Sequence, residues 1–203
     1  MKKNLYSLIL SEGVVNGIDQ LASRLGTNRS HLIDEILAEY LDYQTPEKKI
    51  YSIFCDMEKL MSDLQFPVSY DRYDNVFSLK RALAYKYRPT LRYEIALFHT
   101  DENLRAELRV NYRTQSRELE NKLTDFFKVF GTIEQKFMPK VEYSLEEMRW
   151  TRTLYLDKNH GVSETANELS RFVKVFDAML NKYLSNKYSS YEQIVADYEN
   201  YAY

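Results

Sequence analysis

Cysteine, glycine and proline are all scarce in this sequence, with one Cys, five Gly and four Pro among 203 residues. The single cysteine, Cys55, excludes an internal disulfide and favours a reducing compartment. So few glycines and prolines favour long helices and strands, and they argue against a disordered chain. No apolar run reaches the ~20 residues that a membrane-spanning helix needs, and no signal-peptide core follows Met1. We therefore expect a folded cytoplasmic protein with no membrane partner.

Motifs of catalysis and of metal or cofactor binding are also lacking. His31, His99 and His160 are far apart, and none has a Cys or His three or four residues away. The sequence contains no glycine-rich phosphate loop and no Gly-x-Ser-x-Gly motif. We therefore predict no catalytic residue, no metal site and no cofactor, and we expect that the protein is not an enzyme. A carboxylate site assembled from distant positions stays open as an alternative.

The overall charge excludes one class of nucleic-acid-binding protein. The formal net charge is −2, with 28 Lys and Arg against 30 Asp and Glu. Such a balance excludes a uniformly basic binder but leaves room for local basic patches. The 44% hydrophobic content is ordinary for a globular protein, whereas 18 Tyr and 10 Phe make the chain rich in aromatic residues.

Residues 4–42 show the pattern of one short strand followed by two helices. Residues 4–10 are mostly apolar and β-compatible, which predicts a strand. Ser11 is a plausible N-cap for the first helix, Gly26 a C-terminal residue with positive φ, and Asn28 an N-cap for the second helix. The apolar residues at helical spacing are Val14, Val15, Ile18, Leu21, Ala22 and Leu25, then Leu32, Ile33, Ile36, Leu37, Tyr40 and Leu41. A unit of this size buries too little apolar surface to be stable alone, and two copies that pair their strands would complete it.

This segment resembles the ribbon-helix-helix family of the Arc, MetJ and CopG type. The residues that carry the resemblance are Leu10-Ser11-Glu12, Ile18-Asp19-Gln20-Leu21-Ala22, Leu25-Gly26-Thr27-Asn28-Arg29-Ser30 and Leu32-Ile33-Asp34-Glu35-Ile36-Leu37. The resemblance implies an intertwined β-α-α homodimer whose paired strands enter the major groove of double-stranded DNA. It further implies that Thr27, Asn28, Arg29 and Ser30 contact a DNA phosphate at the start of the second helix. The expected function is a sequence-specific transcriptional regulator, of the repressor type.

Two features of the segment depart from the family pattern. Strand alternation would turn Tyr6, Leu8 and Leu10 toward the dimer core, and it would turn Leu5, Ser7 and Ile9 toward DNA. Base edges are read by hydrogen bonds, and only Ser7 of these three can make them well. Residues 1–45 also contain four basic against six acidic residues, a net charge of −2. The alternative is a non-enzymatic adaptor for a protein partner, antitoxin-like or phage-encoded, which uses this segment only to dimerise.

Residues 45–203 predict an α+β domain for sensing or assembly, following a ribbon-helix-helix domain at residues 1–44. The expected elements are a helix from Thr45-Pro46 to about Gln65, a strand over 77–87, and a hairpin of 91–98 with 104–111. A helix over 119–137, a strand over about 148–156 and a helix over 163–184 follow. The strict alternation of the hairpin predicts an antiparallel sheet with one wet face, and the long helices are expected to cover the other.

Residues 121–130 and 167–176 of the two long helices have similar sequences at a constant offset. An internal β-α duplication explains this similarity, and so does a common role in packing aromatic residues on one sheet. The tail from Tyr188 to Tyr203 holds five tyrosines. It is expected to pack on a neighbouring domain or subunit, with an exposed docking peptide as the alternative.

Basic residues are concentrated in one part of this domain. Residues 76–117 contain nine Lys or Arg and four Asp or Glu, and the alternation places Arg92, Arg105 and Arg109 on the wet face. They could form cross-strand pairs on a solvated surface, Arg92 with Glu94 and Arg105 with Glu107. Their surplus charge could instead bind an anion or an acidic partner. The sequence favours the first interpretation.

Overall fold

The computed structural model describes residues 5–41, 43, 45–62, 67–71, 75–83, 85–99, 104–138, 141–157 and 159–202. The chain forms two compact units, Met1–Lys49 and Ile50–Tyr203. The boundary expected from the sequence, after residue 44, lies a few residues before this division. Each unit has its own packing and is described by itself.

The first unit contains helices α1 (Glu12–Leu25) and α2 (Arg29–Tyr40), joined at Gly26. Gly26 adopts a left-handed conformation with φ of 66°, as its position in the sequence predicts. The N–H of Thr27 donates to the carbonyl of Ala22 at 2.9 Å, and that of Gly26 donates to Ser23 at 3.3 Å. These two bonds are those of a Schellman motif, which satisfies the last carbonyls of α1. Ser11 has the extended backbone of an N-cap, but its side chain makes no capping hydrogen bond.

The strand predicted over residues 4–10 is not present in the single chain. Residues 5–11 belong to no helix or strand, and Asn4 lies outside the described residues. A ribbon made from two copies needs the second copy for its hydrogen bonds, so a lone chain gives this segment nothing to pair with. The ribbon arrangement is therefore not confirmed and stays a prediction. Leu5 and Ile9 are almost fully exposed, and among the described residues 5–45 the buried hydrophobic ones are Ala22, Leu32 and Ala38.

The second unit is α+β, with six antiparallel strands. Helix α3 spans Pro46–Leu60 and so begins shortly before this unit does. The strands are β1 (Val68–Asp71), β2 (Val76–Ala82), β3 (Thr90–His99), β4 (Leu104–Tyr112), β5 (Tyr143–Glu146) and β6 (Arg149–Tyr155). The other helices are α4 (Arg117–Phe137), α5 (Val162–Leu184) and α6 (Tyr191–Ala202). The strand order is β1-β2-β3-β4-β6-β5, which gives the α+β class expected from the sequence.

The predicted hairpin is confirmed as β3 and β4. Tyr93 pairs with Val110 and Ile95 with Leu108, and all four side chains are buried under the helices. The intervening positions point to the opposite face, which carries polar and charged residues. One face of the sheet is thus the wall of the core, and the other is the wet face that the alternation predicts.

An aromatic cluster joins helices α4 and α5 to the core face of the sheet. Phe130 of α4 lies 4.9 Å from Phe176 of α5, and Trp150 of β6 stacks on Phe127 at 5.2 Å between ring centroids. Phe126 and Phe130 correspond to Phe172 and Phe176 in the two similar strings, and all four are buried. The two strings therefore share a packing role, and internal duplication stays a prediction beside it.

Two predicted strands and one predicted helix have other bounds in the structure, and two strands were not predicted. The strand predicted over 77–87 ends at Ala82, since Tyr87 and Arg88 have φ of 65° and 43° and form a turn. The strand predicted over 148–156 begins at Arg149 and follows an unpredicted strand, β5. Met148 makes the turn between them with φ of 58°, a conformation that methionine does not signal in a sequence. The four-residue strand β1 was also not predicted. Helix α3 ends at Leu60 instead of near Gln65, which lies outside the described residues.

Residues 191–202 of the tyrosine-rich tail form helix α6, which packs within the second unit, and Tyr203 lies outside the described residues. Tyr198 is fully buried, and its ring lies 5.6 Å from Phe130 and 5.3 Å from Phe137 between centroids. Ile194 is also buried, one turn earlier. Helix α6 is therefore packed, as expected, but on its own domain instead of on a neighbouring domain or subunit, and an exposed docking peptide does not fit these contacts.

Candidate functional sites

The four residues predicted to contact a phosphate are Thr27 and Asn28, in the turn before α2, and Arg29 and Ser30, the first residues of α2. Asn28 has an extended backbone, and its Oδ1 accepts a hydrogen bond from the N–H of His31 at 3.0 Å. The first hydrogen bond within the helix runs from the N–H of Leu32 to the carbonyl of Asn28 at 3.0 Å. The N–H groups of Arg29 and Ser30 precede that bond and have no acceptor within the helix. Two amides and the positive end of the helix dipole thus lie at an exposed turn.

The guanidinium at this turn is already paired with a carboxylate of the same unit. Nε and Nη2 of Arg29 donate to the two carboxylate oxygens of Asp19 on α1. The hydrogen bonds that Arg29 donates to Asp19, followed by the negative charge of Asp19, raise the pKa of Arg29 above its ordinary value. Arg29 therefore contributes no uncompensated positive charge in this state. A phosphate that binds at the turn must either use the amides alone or displace Asp19.

In the single chain, solvent exposure does not distinguish the residues predicted to face DNA from those predicted to face the dimer core. Leu5, Ser7 and Ile9 are exposed, and so are Tyr6 and Leu8. The two faces of a ribbon become different only when one of them is covered. The assignment of Leu5, Ser7 and Ile9 to a DNA-facing surface therefore stays a prediction about the dimer.

The three arginines of the wet sheet face each have a carboxylate partner. The pairs are Arg92 with Glu94 at 3.1 Å, Arg105 with Glu142 at 3.2 Å, and Arg109 with Glu107 at 2.9 Å. Arg92 has the partner expected from the sequence, but the expected cross-strand geometry is wrong, because both residues lie on β3. The predicted Arg105–Glu107 pair is wrong, because Arg109 takes Glu107 and Glu142 lies within reach of Arg105. A backbone hydrogen bond holds Glu142 beside the sheet, since its carbonyl accepts the N–H of Thr153 on β6, the strand next to β4, at 3.0 Å. This pairing weakens the argument for a surface-wide anion site.

Two of these arginines, Arg92 and Arg109, line a pocket on the same face of the sheet. It has a volume of about 320 Å³ and is lined by Ser69, Tyr70, Val76, Ser78, Arg92, Glu94 and Arg109. Cross-strand register brings its centre together, since Ser78 pairs with Glu94 on β3 and Glu94 pairs with Arg109 on β4. Arg105 does not line the pocket. The sequence placed all three arginines on one face, but it did not separate Arg105 from the other two.

A buried ion pair between β6 and α4 was not predicted. Arg152 is 4% exposed and Glu134 is fully buried, and Nε of Arg152 donates to Oε2 of Glu134 at 3.0 Å. The hydroxyls of Tyr143 and Tyr198 donate to the same carboxylate at 3.2 and 3.1 Å. Arg152 also lies 4.3 Å from the ring centroid of Phe172. Burial, followed by the charge of Glu134, raises the pKa of Tyr143 above its ordinary value.

The position of Arg152 in its strand was a weak indication of a buried ion pair. Arg152 lies between Trp150 and Leu154 on the core-facing side of β6, where alternation calls for an apolar residue. A buried charge at such a position needs a partner, but the sequence does not say which one. Because the carboxylate is satisfied on all sides and closed to solvent, we assign the pair a structural role.

A second buried carboxylate links the opposite part of the core. Asp177 of α5 accepts a hydrogen bond from the hydroxyl of Tyr93 at 2.8 Å and forms an ion pair with Arg81 of β2. Burial raises the pKa of Tyr93 and lowers that of Arg81. Asn181, one helical turn later, also donates to Asp177 at 3.2 Å. The network ties α5 to strands β2 and β3, and we assign it a structural role as well.

Metal-binding clusters and membrane spans are not evident in the part of the chain that the structure describes. Among those residues, no group of three or more His, Cys, Asp or Glu side chains could hold a metal ion. Within the same ranges, none of the helices has both the length and the apolar character needed to cross a bilayer. Comparisons with protein families, with curated proteins and with solved structures give no match for this chain.

Proposed function

We propose that the protein is a homodimeric transcriptional regulator of the ribbon-helix-helix type that binds double-stranded DNA through residues 4–42. The observation that carries this proposal is the turn at Gly26, where a Schellman motif leads directly into a helix capped by Asn28. This turn presents the N–H groups of Arg29 and Ser30 at an exposed helix start. Such a helix start is suited to bind a phosphate group.

The exposed apolar residues of the first unit support the dimer. Leu8, Ile36 and Leu37 are 59, 44 and 49% exposed in the single chain. Completing their burial would contribute roughly 1 kcal/mol for each side chain, since full burial of a Leu or Ile contributes about 1.5–3 kcal/mol. In a two-fold dimer the same surface of both copies forms the interface, so these residues of one copy would pack against the same set in the other. Pairing of the segments over residues 5–10 would supply the hydrogen bonds that they lack in the single chain.

DNA contact in this proposal involves an exchange at Arg29. A guanidinium binds a phosphate with the same two-pronged geometry that it uses for a carboxylate. Arg29 would therefore release Asp19 and bind a DNA phosphate, while the amides at the start of α2 bind the same group. Ser7 would be the main reader of base edges on the ribbon, and Leu5 and Ile9 would contact apolar groups such as thymine methyls.

The test is binding of the full chain to the DNA upstream of its own gene, at about 50 and 200 mM salt. Binding should weaken with salt, and Arg29→Ala and Asn28→Ala should weaken it alike for all sequences. One lost phosphate contact per chain should reduce the slope of log affinity against log salt by about two for the dimer. Ser7→Ala should instead change the sequence preference.

Arg24→Ala is the matched control for this test. Arg24 lies in the last turn of α1, and its replacement changes the charge of the same unit by the same amount. If Arg24→Ala and Arg29→Ala reduce the salt slope equally, net charge explains the effect and the phosphate contact is refuted. Absent or salt-insensitive binding by an intact dimer would refute DNA binding itself.

A protein-interaction adaptor is the second candidate, and the Asp19–Arg29 ion pair favours it. That pair neutralises the cation at the helix start, and residues 1–45 carry a net charge of −2. In this alternative the first unit only dimerises. Purification from the native host discriminates the two, since a stoichiometric protein partner without nucleic acid supports the adaptor.

A further inference from the structure

The pocket on the wet face of the sheet places two guanidinium groups around one cavity. Arg92 on β3 and Arg109 on β4 both line it, and Glu94 lies between them as the cross-strand neighbour of Arg109. Ser78 faces the same cavity from β2, with its Oγ 3.5 Å from Nη2 of Arg92. With Ser69 and Tyr70 on β1, the walls come from four adjacent strands of the sheet, which hold these groups in fixed register.

Both guanidinium groups retain N–H donors that their described contacts do not use. A guanidinium has five N–H donors. Among the described residues, Arg92 uses Nε for Glu94 at 3.1 Å and Nη2 for Ser78 at 3.5 Å. Arg109 uses Nε and Nη2 for the same oxygen of Glu107, at 3.3 and 2.9 Å. The contacts within the described ranges thus leave Nη1 of each arginine to a further acceptor.

Glu94 is paired with groups other than Arg109 in this structure. Its Oε1 pairs with Arg92, and its Oε2 accepts a hydrogen bond from Asn111 at 2.9 Å. The carboxylate is thereby held along the sheet toward Asn111. Although Arg109 is its direct cross-strand neighbour, Arg109 pairs with Glu107 instead. The pocket is left with two arginines, one carboxylate and serine hydroxyls, a lining that suits an anionic, hydroxylated ligand.

We propose that this pocket binds a small molecule through an oxyanion group, a phosphate or a carboxylate, held between Arg92 and Arg109. Ser69 and Ser78 contact the polar remainder of the ligand. The volume of about 320 Å³ is at the lower end of the range for small-molecule sites, which limits the ligand to about one ring. This inference goes beyond the proposed function and does not rest on it, because the pocket lies wholly within the second unit.

The test is a titration of the isotope-labelled full chain with inorganic phosphate and, separately, with acetate, without DNA and at constant ionic strength. The arginine Nε–H resonances are followed by NMR. Saturable shifts of Arg92 and Arg109 are expected with at least one of the two probes. Saturation by phosphate alone supports a phosphorylated ligand, by acetate alone a carboxylate ligand, and by both an oxyanion of either kind.

Arg105→Gln is the matched control, because Arg105 lies on the same face outside the pocket. Its side chain is 48% exposed, as is that of Arg92, and it pairs with a glutamate at a similar distance. Arg92→Gln and Arg109→Gln should each weaken probe binding at least about tenfold, the effect of losing one charge-assisted hydrogen bond. Arg105→Gln should leave it unchanged. Equal weakening by all three variants, or no saturable shift with either probe, would overturn the proposal.

Discussion

Replacing Arg152 with Met removes one partner from the buried ion pair in the core of the second unit. Arg152 and Glu134 are 4 and 0% exposed, so solvent screens neither charge. In Arg152→Met the carboxylate keeps only the hydroxyls of Tyr143 and Tyr198 among the contacts described above. Leaving one charge of a buried pair uncompensated costs about 3–5 kcal/mol, and we expect the free energy of unfolding to fall by that amount.

Two further variants show whether the buried charge causes the loss. Glu134→Gln combined with Arg152→Met removes both charges and should regain about 2 kcal/mol relative to the single variant. Arg105→Met breaks the Arg105–Glu142 pair, whose side chains are 48 and 69% exposed. That exposed pair should contribute only ~0–1 kcal/mol to the free energy of unfolding.

Urea unfolding followed by tryptophan fluorescence is the assay. Trp150 is the only tryptophan of the chain, and it stacks on Phe127 in the core of the second unit. It therefore reports on the unit that contains the ion pair. The reasoning is refuted if Arg152→Met costs no more than Arg105→Met, or if the double variant is as unstable as Arg152→Met alone.

Three other perturbations concern Tyr93, Gly26 and Asp19. Burial raises the pKa of Tyr93, so its stabilising contribution is complete below pH ~10 and is lost as pH rises toward the folded-state pKa. Above pH 10, the free energy of unfolding in urea should fall less steeply with pH in Tyr93→Phe than in the wild type, by up to ~1.4 kcal/mol per pH unit. Parallel curves of the free energy of unfolding against pH for the two proteins would contradict this. Gly26→Ala should destabilise the first unit by about 1–2 kcal/mol because of its positive φ, whereas Gly17→Ala within α1 should stabilise it by about 0.4–1 kcal/mol. Thermal unfolding followed by circular dichroism measures both variants. If both change the melting temperature in the same direction, the role assigned to the positive φ of Gly26 is refuted. Asp19→Asn should raise the affinity for DNA by releasing Arg29, and unchanged binding in a fluorescence-anisotropy titration would count against the exchange.

Features set by local residue patterns were predictable from the sequence. The alternation of residues 91–98 and 104–111 predicted β3 and β4, because a strand with one buried face repeats every two residues. Gly26 marked the end of α1, since glycine adopts a left-handed conformation without a steric cost. The helical spacing of apolar residues likewise placed the start of α5 within one residue of its position at Val162.

Features set by contacts between distant segments were not predictable. Strand β5 was missed because Met148 forms its turn without a glycine or asparagine signal. The partner of Arg105 depends on which strands are neighbours, and periodicity carries no information about strand order. Arg81 and Asp177 are 96 residues apart in sequence, and only the packing of α5 on β2 brings them together. The DNA-facing residues depend on a second chain, so one sequence alone could not establish them.

An NMR experiment on a mixed dimer tests the ribbon most directly. One copy is labelled with ¹³C and ¹⁵N and the other is unlabelled, and contacts between the two are recorded for residues 5–10, first without and then with DNA from upstream of the gene. We predict backbone contacts between the two copies along this segment, and a shift of the Ser7 amide resonance when DNA is added. A monomer, or a dimer whose residues 5–10 make no contact with their counterparts and do not respond to DNA, would contradict the central claim.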